Sequence, residues 1–347
     1  MQKMTGRIKE LAKCLGATAV GISSPETLSG GPPSVDLSYV LQGAKSAVSF
    51  LVPLNQSYIE PYLQKKDRRS HELDNVRTNT LASGISFEIA AYLTQKGFPS
   101  AGQTANLTYR TDTPNGPFDE KPPVSHRYLA VRSGIGHFGL SGNVITRENG
   151  AAVILGSLIT TAALIPTEPL PPAENYCDQC RLCIASCASE YMDPDKKTVI
   201  RIGDLDFSYS LHRNHSRCDY VCGGFTGLHK SGKWSTWSPA RFPVPEKDEE
   251  FLPALAGAAD AYRKRPREEG GFFHFLMPGN RISFTCGNCT LICHPDKEIR
   301  KQRHKMLIQS GVVVQNHDGS CTAVSPNEAK KRLQEMPQER RMLYEKV

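Results

Sequence analysis

Residues 177 to 187 read CDQCRLCIASC, so four cysteines fall within eleven positions at spacings of two, two and three residues. Structural zinc sites usually pair two short knuckles across a longer spacer. Here Cys177, Cys180 and Cys183 lie on one tight loop, and Cys187 follows a turn later. A loop of period three meets three corners of an iron–sulfur cubane, and the fourth cysteine of such a run characteristically ligates another cluster. The run therefore predicts iron–sulfur chemistry and requires a second motif.

The second motif is TCGNCTLICHP, which contributes three more cysteines at spacings of two and three residues. Ferredoxin logic assigns one 4Fe–4S cluster to Cys177, Cys180, Cys183 and Cys293. The same logic assigns the other cluster to Cys187, Cys286 and Cys289. One ligand is then missing, and SRCDYVCGGFTG offers two alternatives.

The missing ligand is either Cys218 or Cys222, and the residues do not separate them. Cys218 follows an arginine, whereas two glycines after Cys222 would let backbone approach a cluster closely. The alternatives to two clusters are a zinc ribbon and a set of buried structural thiols. Two interlocking motifs are more specific than one, and they favour the clusters.

Composition agrees with metal-bound thiols. The chain has 347 residues, for which two domains are expected, and eleven cysteines. The N-terminal residues contain neither the apolar region of a signal peptide nor a membrane span, so we expect a cytoplasmic protein with reduced thiols and no membrane contact. The formal charge of +7 suits either nucleic acid or an acidic protein such as a small ferredoxin.

Before the cysteine motifs, apolar periodicity predicts helices that alternate with strands, hence a mixed α/β (α+β) domain over residues 1–165. The predicted helices are 4–15, 72–96 and 125–132. The predicted strands are 17–22, 46–54, the short NLTYR at 106–110, 143–147 and 151–162, the last two joined across the turn at 148–150.

The rest of the chain follows a proline-rich boundary at 166–175, PTEPLPPAEN. We expect a ferredoxin-like double-cluster domain over 176–300, with a loop-rich insert at 223–270 that carries both tryptophans. A charged helical tail over 301–347 is interrupted at Pro337.

The segment SGIGHFGLSGNVITRENG contains a literal Gly-x-Gly-x-x-Gly from Gly134 to Gly139. A dinucleotide fingerprint follows the first strand and opens a helix. This segment instead follows a predicted helix and leads into a strand, so we reject that interpretation. The two alternatives are a packed turn and a close backbone approach to a large cofactor.

Together these features resemble the epoxyqueuosine reductase family over roughly residues 1–300: an N-terminal mixed domain, AVRSGIGHFGLSGNVITRENGAAVILGSLIT, and the two cysteine motifs. Members of that family, which is related to the reductive dehalogenases, carry cobalamin beside two 4Fe–4S clusters. The resemblance implies a reductase in which an external one-electron donor, of ferredoxin or flavodoxin type, feeds the clusters and the clusters reduce a corrinoid. It implies corrinoid contacts from Gly134, Gly136, His137, Gly139 and Gly142.

The resemblance also implies a proton donor. Matching FDEKPPVSHRYLAVRSGIG by Pro123 and Arg127 puts Glu120 at the position where the family has aspartate, with Asp119 as the neighbouring competitor. An ordinary surface carboxylate is the alternative. The HEAT-like extension of some tRNA-acting members is not evident, which leaves tRNA open as a substrate, and no Asp-x-His-x-x-Gly motif offers a lower ligand to cobalt.

Two other functions fit the same motifs. One is an activator that re-reduces the corrinoid of a partner protein, and the other is a plain double-cluster electron carrier. Among the remaining residues, the basic run 262–268 is interpreted as a solvated face, with docking of an acidic electron donor or RNA as the alternative. Trp234 and Trp237 are interpreted as core anchors, with stacking on a ring or base as the alternative. Cys14, Cys321 and the spare one of Cys218 and Cys222 are interpreted as buried thiols.

Overall fold

The protein is described here by a computed structural model that covers residues 1–274 and 277–346. The α-helices are α1 Gln2–Cys14, α2 Ile59–Leu63, α3 Arg69–Gln95, α4 His126–Arg132, α5 Leu182–Ala185, α6 Ser216–Cys222, α7 Phe251–Lys264, α8 Asn288–Ile292, α9 Lys297–Ile308, α10 Pro326–Gln334 and α11 Gln338–Arg341. The β-strands are β1 Ala19–Ser23, β2 Ser46–Pro53, β3 Ser100–Gly102, β4 His137–Phe138, β5 Val144–Ile145, β6 Val153–Thr160, β7 Met192–Ile202, β8 Leu205–His212, β9 Phe272–Phe273, β10 Arg281–Ile282, β11 Val312–Gln315 and β12 Cys321–Val324.

The chain divides into two compact units, each built from non-consecutive segments. Unit 1 comprises Met1–Leu54, Asn75–Cys180 and Lys197–Tyr209. Unit 2 comprises Asn55–Asp74, Arg181–Lys196 and Ser210–Val347. The chain leaves unit 1 for unit 2 after Cys180, within the first cysteine motif. The sequential division at 166–175 stays a prediction.

Unit 1 is built on a four-stranded sheet in the order β1-β2-β6-β3, in which every pairing is antiparallel. The mixed helix and strand content is confirmed. Of the two classes named, however, α+β is the one observed, because antiparallel pairs replace the parallel βαβ units that alternation suggested. Helix α4 packs on this sheet through Ala130 and Val131, beside Leu51 of β2. Ser125 caps α4 by accepting a hydrogen bond from the Tyr128 N–H.

The predicted strand at 106–110 is wrong. Leu107 has a φ of 66°, which an extended strand does not accommodate. Ala105, immediately before the segment, donates its N–H to Ser83 Oγ on α3 at 3.0 Å, so the chain there bonds to a helix. The edge of the sheet is formed instead by β3.

The other predicted elements of unit 1 are found, with one change of pairing. The strands predicted at 143–147 and 151–162 are β5 and β6, but β5 pairs with β4 while β6 pairs with β2 and β3. Only the bridge between Thr146 and Gly150 closes the predicted turn. The glycine-rich segment does follow a helix and lead into strands, as the rejection of the dinucleotide fingerprint required.

Unit 2 has its own core, in which α7 packs against α6. The residues of this core include Tyr220, Phe225, Phe251, Leu255 and Met277. The insert predicted to be loop-rich therefore contains a fourteen-residue helix. Its sequence FLPALAGAADAYRK places Phe251, Leu255, Ala258 and Ala259 on one buried face. The helical tail predicted over 301–347 is wrong between α9 and α10, where β11 and β12 form an antiparallel hairpin. The predicted interruption at Pro337 is found, between α10 and α11.

In the part of the chain that the structure describes, no helix has both the length and the apolar character needed to cross a bilayer.

Candidate metal centre

Unit 2 brings five cysteine thiols into one group. Cys218 Sγ and Cys222 Sγ are 3.6 Å apart, and Cys222 is hydrogen-bonded to Cys286 as well. The charge on Cys218 acts on the pKa of Cys187 and of Cys289. We call Cys187, Cys218, Cys222, Cys286 and Cys289 the unit 2 thiol group.

Short helices position these thiols. Cys218 and Cys222 are four residues apart on α6 and so share one face of that helix. Cys286 precedes α8 and Cys289 lies in its first turn, after Gly287, whose φ of 128° strains any residue with a side chain. Thr285 joins the two helices, because its N–H and its hydroxyl both donate to the Cys222 carbonyl, at 3.1 and 3.0 Å.

The thiols differ in their proton affinity. The hydrogen bond from Cys222 lowers the pKa of Cys286 to about 7, assisted by backbone N–H groups of Asn288 and Gly287. The hydrogen bonds of Cys222 with Cys218 and with Cys286, together with burial, raise the pKa of Cys222 well above its ordinary value. Burial raises the pKa of Cys187 and of Cys289. Cys286 is thus the thiolate acceptor in this group, and Cys222 is a thiol donor.

Two side chains beside Cys286 carried no signal in the sequence. Tyr62 is fully buried, and its hydroxyl donates to the Cys286 carbonyl at 3.2 Å. Lys65 is 8% exposed, and its Nζ has no hydrogen-bond partner among residues 1–274 and 277–346. Burial lowers the pKa of Lys65 to about 7, while the negative charge of Cys286 opposes that shift. Nothing in YLQKKDRR distinguishes Lys65 from a surface lysine.

The last cysteine of the second motif also has a cation close by. Arg303 of α9 is buried and senses the charge of Cys293. Its Nη1 donates to the Leu291 carbonyl at 3.0 Å and its Nη2 to Gln56 Oε1 at 3.1 Å. A fixed positive charge is therefore held near Cys293 by bonds to α8 and to the chain before α2.

In unit 1, Cys177 is bonded to the glycine-rich segment. The backbone N–H of Leu140 donates to Cys177 Sγ at 3.3 Å. Asn175 strengthens the link, since its Nδ2 donates to the Phe138 carbonyl at 3.1 Å and its Oδ1 accepts the Cys177 N–H at 3.0 Å. The sequence assigns Cys177 to one cluster together with Cys180, Cys183 and Cys293. Because these four cysteines belong to both units, their common ligation of one cluster stays a prediction.

The glycines of this segment face the protein's own atoms. A Cβ on Gly134 would meet the Glu168 carbonyl oxygen at 2.3 Å, and one on Gly136 would meet the Ile145 carbonyl oxygen at 2.6 Å. A Cβ on Gly139 would meet the Ile145 side chain at 3.1 Å. These contacts give each glycine a packing reason of its own. Their role as corrinoid contacts stays a prediction.

The remaining two residues of the predicted corrinoid set are His137 and Gly142. His137 lies in β4, and its Nε2 is buried without a hydrogen-bond partner in the described ranges. Burial lowers the pKa of His137, so the neutral ring is favoured. Gly142 has a φ of 73°, and its carbonyl accepts a bond from Arg127 Nη1 at 3.2 Å.

The two candidate proton donors lie at the end of one 3-10 turn, 116–119. Asp119 accepts hydrogen bonds from the Asn115 N–H at 3.1 Å and from Asn115 Nδ2 at 2.8 Å. These bonds lower the pKa of Asp119, so it is ionised at neutral pH and is a poor acid. Glu120 follows in the left-handed region with a φ of 50°. The catalytic role of either residue stays a prediction.

Predictions for other residues can now be checked. Trp234 and Trp237 are core anchors, as expected, and Trp237 Nε1 donates to the Tyr62 carbonyl at 3.0 Å. Cys14 is exposed, so its prediction as a buried thiol is wrong, because α1 presents that position to solvent. Cys321 is partly buried and donates to Glu268. The run 262–268 is solvated only in part: Arg263, Lys264 and Arg267 are exposed, whereas Arg265 is buried.

Known proteins resemble this chain in sequence. It is 29% identical over 154 residues to an epoxyqueuosine reductase of Vibrio cholerae serotype O1, a match that covers 44% of this chain and 34% of that protein. It is 24% identical over 209 residues to an epoxyqueuosine reductase of Gloeobacter violaceus, covering 54% of this chain and 60% of that protein. The chain is similar to epoxyqueuosine reductases. The predicted resemblance is confirmed, although the matches span about a third to three fifths of these relatives.

One solved structure shares the fold over most of this chain. A catabolic reductive dehalogenase in complex with 3-bromo-4-hydroxybenzoic acid superimposes with a TM-score of 0.51 at 14% identity, covering 99% of this chain and 38% of that one. No family model matches the chain.

Proposed function

We propose that this protein is an iron–sulfur oxidoreductase of the epoxyqueuosine reductase type. The observation that carries the proposal is the unit 2 thiol group, in which motif cysteines far apart in the chain lie within interaction distance of one another. The named activity of the relatives gives the direction of the chemistry, which is reduction.

The donor set fits an iron–sulfur cluster. Thiolate sulfur is the ligand that such clusters require. A cluster with four thiolates carries net negative charge, and that charge would pair with the Lys65 ammonium beside Cys286, whose Nζ has no hydrogen-bond partner in the described ranges. When bound, the clusters supply one-electron transfer.

Within the unit 2 thiol group we assign the missing ligand to Cys218. Its charge acts on both Cys187 and Cys289, so it faces these two motif cysteines. Cys222 instead contacts Cys218 and Cys286, and these contacts, together with burial, raise its pKa. Cys222 would then remain a thiol that donates a hydrogen bond to a ligand sulfur.

The residues of this chain also tune such a centre. Backbone N–H groups at Gly287 and Asn288 stabilise the Cys286 thiolate. Leu140 does the same for Cys177 through its N–H. Arg303 adds a fixed cation near Cys293. Hydrogen bonds to sulfur and nearby positive charge both ease the addition of an electron.

The corrinoid part of the proposal rests on the resemblance and on the buried, unpartnered Nε2 of His137. The glycines support a bound corrinoid less, because protein atoms already fill the space beside the Cα of Gly134 and of Gly136. This filled space favours the second candidate function, which is an electron-transfer protein or activator that serves a partner's corrinoid and has no substrate of its own.

A proton must be supplied when a polar bond is cleaved reductively. We propose Glu120 for this role, because the hydrogen bonds that lower the pKa of Asp119 hold that neighbour as a carboxylate. The substrate to test first is an epoxyqueuosine-modified tRNA stem loop, because the sequence relatives are named epoxyqueuosine reductases.

The experiment is single-turnover reduction of such a stem loop by anaerobic, cluster-loaded protein with added cobalamin and a ferredoxin-type donor. We expect conversion to the queuosine product, cut about 10²-fold or more in Glu120→Gln with iron content unchanged. Asp119→Asn serves as the matched control and should retain turnover. Absence of conversion, together with reduction of an added corrinoid protein, would favour the activator.

A further inference from the structure

Unit 2 contains a cavity of about 360 Å³ whose wall is rich in arginine. It lies where the end of α7 meets the β9–β10 hairpin. Its guanidinium groups come from Arg263, Arg265, Arg267 and Arg281. Neither the cysteine motifs nor the proposed reduction accounts for four arginines around one cavity.

Arg265 is the buried member, with 7% of its surface exposed. Its Nε donates to the Leu343 carbonyl at 2.8 Å and its Nη1 to the Gly224 carbonyl at 3.1 Å. Its Nη2 is buried and has no hydrogen-bond partner in residues 1–274 and 277–346. Two fixed bonds therefore orient the guanidinium and leave one donor nitrogen unsatisfied, which is costly unless a ligand accepts from it.

The other arginines are exposed, and the structure gives none of them an ion pair within the described ranges. The cavity wall contains one carboxylate, that of Glu268. It is already engaged, because Arg68 Nη2 lies 2.8 Å from its Oε2 and Cys321 donates to its Oε1. The cavity is thus strongly cationic, and guanidinium forks match phosphate geometry.

The cavity wall also contains aromatic side chains. Phe273 of β9 lines the cavity and is 64% exposed, and the Arg281 guanidinium lies 5.2 Å from the centre of its ring. Tyr262 also lines the cavity. An exposed phenyl ring capped by a guanidinium suits a planar ring that stacks on it.

We propose that this cavity binds a small ligand of the mononucleotide class, with its phosphate on Arg265 and Arg267 and its planar ring on the aromatic side at Phe273. Thr285, which lines the cavity, immediately precedes Cys286, so the ligand would bind next to the segment that carries the unit 2 thiol group. This site is separate from the proposed reduction and does not depend on it.

Isothermal titration calorimetry of the full chain with AMP, adenosine and inorganic phosphate tests the proposal. AMP should bind one per chain and about tenfold or more tighter than either adenosine or phosphate, since only AMP offers both groups. The double variant Arg267→Ala/Arg281→Ala, which changes only exposed side chains, should weaken AMP about tenfold or more. Arg7→Ala/Lys13→Ala, with the same loss of charge on the exposed surface of α1, should bind AMP normally.

Several outcomes would overturn the proposal. The proposed site would be refuted if AMP did not bind saturably, or if the Arg267→Ala/Arg281→Ala variant bound AMP as tightly as the unchanged protein. Equal affinity for adenosine would refute the role of the arginines, and equal affinity for phosphate would refute stacking on Phe273. Arg265→Lys keeps the buried charge but loses the fork, so unchanged AMP affinity in a folded Arg265→Lys protein would refute the role given to Arg265.

Discussion

At the scale of single residues, the proposal gives different roles to the two cysteines of α6, whose sulfurs are 3.6 Å apart. Cys222→Ala should leave the chain with about eight irons after anaerobic reconstitution, because it removes a thiol donor and no ligand. The double variant Cys218→Ala/Cys222→Ala should fall to about four irons, since neither thiol can then complete the second cluster. Iron and sulfide assays measure both. A loss of about four irons in Cys222→Ala alone would show that Cys222 is the ligand.

Arg303 offers a test of electrostatic tuning. Arg303→Gln should lower the reduction potential of the cluster that Cys293 is proposed to hold by tens of millivolts, because a guanidinium stays charged and its loss disfavours an added electron. Arg303→Lys is the matched control and should keep the potential close to that of the unchanged protein. Redox titration followed by electron paramagnetic resonance gives both values. Equal potentials in the Gln and Lys variants would contradict the charge effect.

The sequence was sufficient for the cysteines but not for their surroundings. The short, regular spacings of the motifs identify the thiols without any fold, and the structure places Cys187, Cys286 and Cys289 in one group as those spacings predicted. Lys65 and Tyr62 reach Cys286 only through tertiary packing across more than two hundred residues, so no local pattern marks them. The choice between Cys218 and Cys222 likewise needed side-chain contacts.

At the scale of elements, the glycine-rich segment is shaped by packing. Gly134 has a φ of 74° and lies against the Glu168 carbonyl. Gly134→Ala should therefore lower the free energy of unfolding by about 2 kcal/mol or more, from left-handed strain plus the clash. Gly84→Ala is the control: Gly84 is in the interior of α3 with no atom within 4 Å of its Cβ position. It should stabilise by up to about 1 kcal/mol. Denaturant titration checks both signs, and an unaffected Gly134→Ala protein would contradict the packing account.

Periodicity located most helices and long strands of unit 1, because α1, β2 and β6 each bury an apolar face or run. In α3 the buried apolar residues include Ile85, Ile89 and Leu93, whereas Leu73 and Val76 near its start are exposed. Apolar periodicity failed where the pairing of strands determines the structure. The segment NLTYR has strand composition, but Leu107 turns into the left-handed region and Ala105, just before the segment, bonds to α3. The sequence also gave no sign that β5 and β6 enter different sheets, since register is set by partners far away in the chain.

At the scale of the whole molecule, the corrinoid is the part of the proposal that most needs an independent measurement. Anaerobic purification followed by corrinoid extraction should yield close to one corrinoid per chain if the cofactor is the protein's own. His137→Phe should reduce that content, since it removes the buried ring nitrogen while keeping a planar side chain, and iron content should not change. Intact clusters with no corrinoid, before and after reconstitution with cobalamin, would point to the activator or carrier instead.

The central claim is that the cysteines hold two 4Fe–4S clusters, and elemental analysis of anaerobically reconstituted protein tests it most directly. Two cubanes require about eight irons and about eight acid-labile sulfides per chain, with an electron paramagnetic resonance signal on reduction. Cys183→Ala should remove about half of each. Stoichiometric zinc with no labile sulfide would contradict the account.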